Sequence, residues 1–322
     1  MVKRVVVERR RGVYSAFPTF VVHRGYLYLY YRQGHTSDAQ VHGLHGVVKR
    51  LKVGIDEYLQ AHQEPFFEPL SLLGEEKAVF NADNELDAIV AKLEDNLFSL
   101  CTRDTVFGSH NRCFVSFGSE PEFYEREEVK VVGVNIHAFY GKPVKTPYGY
   151  VFTAYGALEE DKLQRPLLLV TDTQKWELLS HLPTMINGNR LNECSLVRHG
   201  GVWTLFIRED DPPFGIWYAE SDDLQRWERP QKLFSSAHAP MAFEHQGRLY
   251  LAYRWLREEG SYAVALGRPF DAKAPVVVDV YHGSPYDGGY TDLGVVDGKL
   301  NIVYYWGNVE AEPEVRSCII QL

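Results

Sequence analysis

A chain of 322 residues that is 45% hydrophobic and 24% charged can bury a large core, and it exceeds the usual single-domain size unless it is built from repeated units. Its net charge of −9 argues against broad binding to nucleic acid or anionic membranes, both of which depend on basic surface and counterion release. The aromatic load of 20 Tyr, 17 Phe and 6 Trp favours pleated, half-buried strands over helices.

In chain order, the opening VKRVVVERR is strand-like and has no apolar core of a signal peptide, and no later run is long and apolar enough to span a bilayer. The chain therefore reads as cytoplasmic. A pattern then recurs six times: a small or polar residue, an apolar strand, a turn, an aromatic-rich strand and, often, Arg. The copies are AFPTFVVHRGYLYLYYR (16–32), DAIVAKLEDNLFSLCTR (87–103), HAFYGKPVKTPYGYVFTAYG (137–156), NECSLVRHGGVWTLFIR (192–208), HAPMAFEHQGRLYLAYR (238–254) and YTDLGVVDGKLNIVYYW (290–306). Five of the six span 17 residues around a Gly- or Asn-containing turn, a repeated hairpin signal. Their starts lie 71, 50, 55, 46 and 52 residues apart, which is about one four-stranded unit each except for the first interval.

These repeats predict an all-β fold, a six-bladed β-propeller occupying 1–322 as a single domain. RPLLLVTDTQKWELL, FGIWYAESDDLQRWERP and SYAVALGRPF supply outer strands. In 171–176 and 221–227, a Ser/Thr, an Asp and a Trp surround a turn, where Asp caps turn amides and Trp packs between strands. The closing EVRSCIIQL pairs with the opening strand and completes one blade, which removes exposed sheet edges. The long first interval holds an insertion, 54–85, in which IDEYLQAHQ predicts a short helix covering one face of the disc. Cys101, Cys113, Cys194 and Cys318 show neither a CxxC pair nor zinc-type spacing, so they read as free thiols, with no metal site or cofactor expected.

A propeller points its innermost strands at the axis, so equivalent repeat positions converge. The repeat starts carry Ala16, Asp87, His137, Glu193 (beside Asn192), His238 and Tyr290, and the repeat ends carry Arg32, Arg103, Arg208, Arg254 and Trp306. Acids, histidines, arginines and aromatics together suit a carbohydrate. Arginine binds carboxylates through paired N–H groups, so the four arginines suggest an acidic sugar such as a uronic or nonulosonic acid. The plainer role for each is pairing with a nearby acid, which Arg103-Asp104 and Arg208-Glu209-Asp210 permit. For His137 and His238 it is a hydrogen bond to a backbone carbonyl, and Gly288-Gly289 reads as a turn admitting the last strand to the axis.

NECSLV with an Arg 15 residues after its Glu, followed by GGYTDLGVVDGKLNIVYY, resembles the sialidase superfamily of six-bladed propeller glycosidases. AFPTFVVHRGYLYLYYRQGHTSD resembles the family's opening Arg-Ile-Pro strand and the acid that follows it. The resemblance implies Glu193 as base, Tyr290 as nucleophile, Arg208 as the second arginine of a carboxylate-binding triad and Asp38 as acid/base, with Asp87 the alternative acid. Ala16 stands where the family has its first triad arginine, Ser261 lies near the place of the third, and ESDDLQRW reads more like strand ends of arabinanase-type and fructosidase-type glycosidases. Glycoside hydrolysis needs a proton donor and a nucleophile or base on the other face of the ring. The expected function is therefore a glycosidase acting at a glycan terminus. A non-catalytic carbohydrate-binding propeller and a propeller lyase using His and Tyr are the alternatives, and oligomeric state stays open.

Overall fold

The structure, a computed structural model, describes residues 3–35, 44–63, 68–80, 82, 84–105, 111–258, 260–283, 288–307 and 313–320. Its strands form six antiparallel sheets arranged as the blades of a propeller. After β1 (Lys3–Glu8), blade 1 holds β2 (Val13–His23), β3 (Tyr26–His35), β4 (Leu44–Gly54) and β5 (Glu75–Ala78). Blade 2 holds β6 (Glu85–Glu94), β7 (Leu97–Asp104), β8 (Arg112–Gly118) and β9 (Glu127–Glu128). Blade 3 holds β10 (Val134–Phe139), β11 (Val144–Thr146), β12 (Gly149–Leu158), β13 (Arg165–Thr171) and β14 (Trp176–His181). Blade 4 runs from β15 (Met185–Ile186) through β16 (Asn189–His199), β17 (Val202–Glu209) and β18 (Gly215–Ser221) to β19 (Gln231–Ser235). Blade 5 holds β20 (Ala237–His245), β21 (Arg248–Glu258), β22 (Ser261–Gly267) and β23 (Val276–His282). Blade 6 holds β24 (Thr291–Val296), β25 (Lys299–Trp306) and β26 (Glu314–Ile320), with β1 added outside β26 in the register Val5↔Ser317. The chain's two ends thus close one blade, and no covalent closure is needed to hold the ring.

The innermost hairpins follow from their turns. Residues 24–25, 200–201, 246–247 and 297–298 each place two consecutive residues at positive φ, the mirror-image turn whose twist matches that of paired strands. Strand alternation then builds the core. In β17, Trp203, Leu205 and Ile207 enter the apolar layer shared with blade 3, whereas Phe206 enters the layer shared with blade 5. The same division gives one buried cluster at each blade-to-blade interface. Each fully buried Leu or Phe in these layers stabilises the fold by roughly 1.5–3 kcal/mol.

The two Asp turns are interblade fasteners. Asp172 Oδ1 accepts from the backbone N–H of Gln174 and Lys175, both at 2.9 Å, and Trp176 packs on Phe152 of its own blade and stacks on Phe117 of blade 2, with centroids 4.9 and 6.5 Å apart. Asp223 Oδ1 accepts from Gln225 and Arg226, while Trp227 Nε1 donates to Ser180 Oγ of blade 3 at 3.1 Å.

The stretch 54–85 divides between blade and appendage. It contains α1 (Ile55–Gln63), a single 3-10 turn at Leu70–Leu72 and β5, which is the fourth strand of blade 1. The helix packs at the seam between blades 1 and 6. Tyr58, fully buried, donates from its hydroxyl to Asn301 Oδ1 at 2.8 Å, and His62 Nε2 lies 3.0 Å from Ser317 Oγ. It therefore braces the closing blade. All four cysteines are buried and unpaired with one another. No helix among the described residues is long and apolar enough to cross a membrane.

Candidate active site

The innermost strands are not smooth. β2, β6, β10, β16 and β20 each carry an irregularity near the end where the repeats begin: between Ala16 and Thr19, Glu85 and Ala88, Ile136 and Ala138, Leu191 and Cys194, and His238 and Met241. A bulge adds a residue to one strand and re-aims side chains, which makes such sites common at functional centres. The residues inside these bulges include Phe17, Asp87, His137, Asn192 and Glu193, and all of them line one axial cavity of about 470 Å³. Blade 6 contributes Tyr290, which enters through Gly288 and Gly289 at φ +70° and +72°. A Cβ on Gly289 would lie 2.7 Å from the Tyr281 hydroxyl and 3.1 Å from Arg254 Cβ, so both conformation and space require glycine there.

At one wall, Tyr290 donates its hydroxyl proton to Glu193 Oε1 at 2.6 Å. Arg208 Nη1 donates to the Tyr290 oxygen and lies equally close to Glu193 Oε2, both at 2.9 Å, while Nη2 donates to Asp210 Oδ1 at 2.7 Å. The Tyr290 ring is caged. Phe17 meets it edge-on at 5.3 Å, Tyr305 stacks at 6.1 Å, and the Arg254 guanidinium lies 5.1 Å from its centroid. Burial, and then the Glu193 charge, push the phenol well above its ordinary pKa, so Tyr290 is protonated at rest.

A second pair lines the same cavity, Asp87 Oδ2 with Arg103 Nε at 2.7 Å. Burial raises the Asp87 pKa, and the Glu193 charge adds to this, while Arg103 opposes it. Arg103 Nη1 donates to the backbone carbonyl of His137 at 3.4 Å, and Asn111 Nδ2 donates to the same oxygen at 3.2 Å. Burial, together with the neighbouring Arg103 charge, pulls the His137 pKa down to about 4, so the ring is neutral near pH 7. His137 lies beside Tyr155, with centroids 5.1 Å apart.

Six of the expected site residues thus meet at the cavity: Asp87, Arg103, His137, Glu193, Arg208 and Tyr290. Four others are not among its lining residues. Arg32 is fully buried, with Nε donating to the Glu85 carbonyl at 2.6 Å, and Arg254 donates to the Gly288 carbonyl at 2.8 Å. His238 is buried against Phe214, with Nε2 3.1 Å from the Glu209 carbonyl. Trp306 donates from Nε1 to the Val280 carbonyl and stacks under Arg316. Asp38 lies outside the described residues.

The register explains this division. The residues facing the bulges in blades 2 and 4 are Arg103 and Arg208, opposite Asp87 and Glu193. In blades 1 and 5 the bulge sits one residue nearer the turn, so Arg32 pairs with Ala16 and Arg254 with His238, and the bulges hold Phe17-Pro18 and Ala239-Pro240. Without an acid opposite, each arginine instead caps a carbonyl at the start of the next blade.

Several lining residues escaped the repeat comparison. Tyr140 and Tyr155 lie past the start of the third repeat, and Asp210 lies two residues past the end of the fourth. The Arg-Glu-Asp string was the one signal for Asp210. Asp292, 1% exposed, accepts from Thr19 Oγ1, the Phe20 N–H and Lys142 Nζ at 3.0, 2.8 and 2.8 Å, tying blades 6, 1 and 3 together beside the cavity. Among the described residues, no group of three His, Cys, Asp or Glu side chains is placed to hold a metal ion.

No protein-family model and no curated protein sequence matches the chain. Solved structures do. A protein of unknown function from Dyadobacter fermentans superposes with a TM-score of 0.74 at 14% identity, over 98% of this chain and 97% of that one. An α-L-arabinanase from Penicillium chrysogenum, complexed with arabinobiose, gives 0.63 at 9% identity over 100% and 98%. Trypanosoma rangeli sialidase gives 0.62 at 11% identity, and this chain spans 59% of its length. The chain shares its six-bladed propeller fold with these sialidase and arabinanase glycoside hydrolases, at an identity that marks wide divergence.

Proposed function

We propose that the protein is a glycoside hydrolase acting on the terminal residue of a glycan held in the axial cavity. The observation that carries this reading is the Tyr290 phenol donating to Glu193 at 2.6 Å while Arg208 contacts both. A tyrosine is a weak nucleophile unless a base removes its proton during attack, and this geometry provides the base.

In the first step the Tyr290 oxygen forms a bond to the anomeric carbon as its proton passes to Glu193 Oε1. The bond from that carbon to the leaving oxygen breaks, and the leaving oxygen takes a proton from Asp87, whose raised pKa keeps it protonated further up the pH scale than an ordinary carboxyl. Arg208 stabilises charge developing between phenol and carboxylate. In the second step water attacks the anomeric carbon, gives its proton to Asp87, and the departing phenolate recovers its proton from Glu193. Asp87 takes the acid role here because it lines the same cavity as Tyr290 and burial raises its carboxyl pKa.

The test is a screen of aryl glycosides, with uronides and nonulosonides included, followed by mass spectrometry of enzyme treated with a 2-fluoro glycosyl fluoride. A glycosyl adduct on the peptide containing Tyr290 supports the reading. Glycan binding without release of reducing sugar would instead identify a carbohydrate-binding propeller, and an unsaturated product absorbing in the near ultraviolet would identify a lyase.

A further inference from the structure

We infer that the cavity accepts an uncharged sugar and discriminates against sugar acids, with Asp210 a residue that sets this preference; the inference rests on the reading of the cavity as a glycoside site. Arginine-rich repeats suggested the opposite. The structure shows what those arginines hold. Arg103 is paired with Asp87 at 2.7 Å, and Arg208 is shared between Glu193 at 2.9 Å and Asp210 at 2.7 Å. Arg32 and Arg254 do not line the cavity: each donates to a backbone carbonyl, Arg32 donates also to Asn84 Oδ1, and Arg254 lies over the Tyr290 ring.

The charge count follows directly. The described lining residues carry four carboxyl groups, Asp87, Glu193, Asp210 and Asp292, and two guanidinium groups, Arg103 and Arg208. Behind the lining, Lys142 holds Asp292 at 2.8 Å and Arg190 lies 3.4 Å from Asp210, while each lining arginine is already held by a carboxyl group of the site, so among the described lining residues no guanidinium is left open to a ligand carboxylate. His137 adds no charge near neutral pH, its pKa being about 4.

A ligand carboxylate could bind Arg208 only by displacing Glu193 or Asp210, or Arg103 only by displacing Asp87. Each displacement takes a carboxyl group of the site off the guanidinium that holds it and sets the ligand's negative charge beside it. Two partners on Arg208 matter most. Asp210 occupies the second terminal nitrogen, the one that would complete a paired grip on a carboxylate.

What the cavity does offer is neutral. Asn111, Gln164 and Asn192 present side-chain amides, and Phe17 presents an aromatic ring. Tyr140 lines the same space, and its phenol oxygen is buried without a hydrogen-bond partner among the described residues. Amides and a phenol donate to and accept from hydroxyl groups, and aromatic rings pack on the C–H face of a sugar.

The experiment uses the full chain carrying Tyr290→Phe, which keeps every charge of the site and prevents turnover. Titration calorimetry compares matched pairs: methyl glucoside with methyl glucuronide, methyl galactoside with methyl galacturonide, and the C1 carboxamide of the methyl glycoside of N-acetylneuraminic acid with its parent acid. In the pair the cavity recognises, the uncharged member binds at least about tenfold tighter, a difference of about 1.4 kcal/mol. Adding Asp210→Asn narrows that ratio by about tenfold or more by improving the acid. Asp87→Asn, checked alongside by thermal melting, serves as a second charge-removing variant if Asp210→Asn does not fold. Equal or tighter binding of a uronide or nonulosonide, or binding of no uncharged member, overturns the inference. The two readings fail separately: an uncharged glycoside that binds but is never cleaved by the unmodified enzyme refutes the hydrolase and leaves the preference standing, whereas cleavage confined to acidic glycosides refutes the preference and leaves the hydrolase.

Discussion

Replacement of Glu193 with Gln isolates the chemistry of the site from its architecture. The side chain keeps its volume and one carbonyl oxygen, so Tyr290 retains an acceptor, but the group can no longer take the phenol's proton. Losing a general base costs typically 10²–10⁴-fold in rate, and kcat on an activated aryl glycoside should fall by about that factor. Stability should change far less. Breaking a buried ion pair costs about 3–5 kcal/mol when a bare charge remains, but Arg208 keeps Asp210 at 2.7 Å, so a loss of about 1–3 kcal/mol is expected. For a chain of 322 residues the unfolding entropy is roughly 0.7 kcal/mol per degree, so the melting temperature drops by about 2–4 °C. If Tyr290 and Glu193 act as a unit, the double variant with Tyr290→Phe is no slower than either single one. Turnover within about threefold of the unmodified enzyme, with the fold intact by circular dichroism, would refute the assignment.

Three further outcomes follow from the same geometry. Asp87→Asn should slow glycosides with poor leaving groups by about 10²-fold or more while sparing activated aryl glycosides, since only the former need protonation; equal loss on both sinks Asp87 as the acid. Glu85, fully buried, has a pKa raised by burial to about 7 from an ordinary 4.5. The folded state therefore holds this proton more tightly than the unfolded chain, and stability relative to Glu85→Gln should fall as pH rises from about 4.5 to 7, by at most about 3 kcal/mol. Urea titrations of both proteins across that range check it, and a constant difference contradicts it. Lys142→Met strands buried Asp292 and should cost about 3–5 kcal/mol, or roughly 4–7 °C, much of it recovered on adding Asp292→Asn; additive losses in the double variant would show that the pair is not coupled.

Much of the molecule could be read before its structure was known. The hairpins were legible because a strand with period-two alternation, a Gly-containing turn and an aromatic return are all local properties, and six copies state the symmetry outright. The residues of the Tyr290, Glu193 and Arg208 cluster were legible because they fall at corresponding places in the fourth and sixth copies. Ring closure by Val5 against Ser317 was legible from strand character at both ends. The helix in 54–85 was legible from its composition, but its seat against Asn301 and Ser317 was not, since that contact joins residues more than two hundred positions apart.

What the repeats could not disclose was which way their ends point. Counted from the turns, Arg32, Arg103, Arg208 and Arg254 occupy the same place, and the sequence by itself determined only that. Tertiary structure decided between them through the position of one extra residue in the facing strand. Where the bulge lies opposite the arginine and holds Asp87 or Glu193, the pair turns towards the cavity. Where it lies one residue nearer the turn, the arginine goes to a backbone carbonyl. A bulge costs little and leaves almost no trace in composition, yet it resets the alternation of every side chain beyond it, and so the charge of the cavity is set by register as well as by residue content.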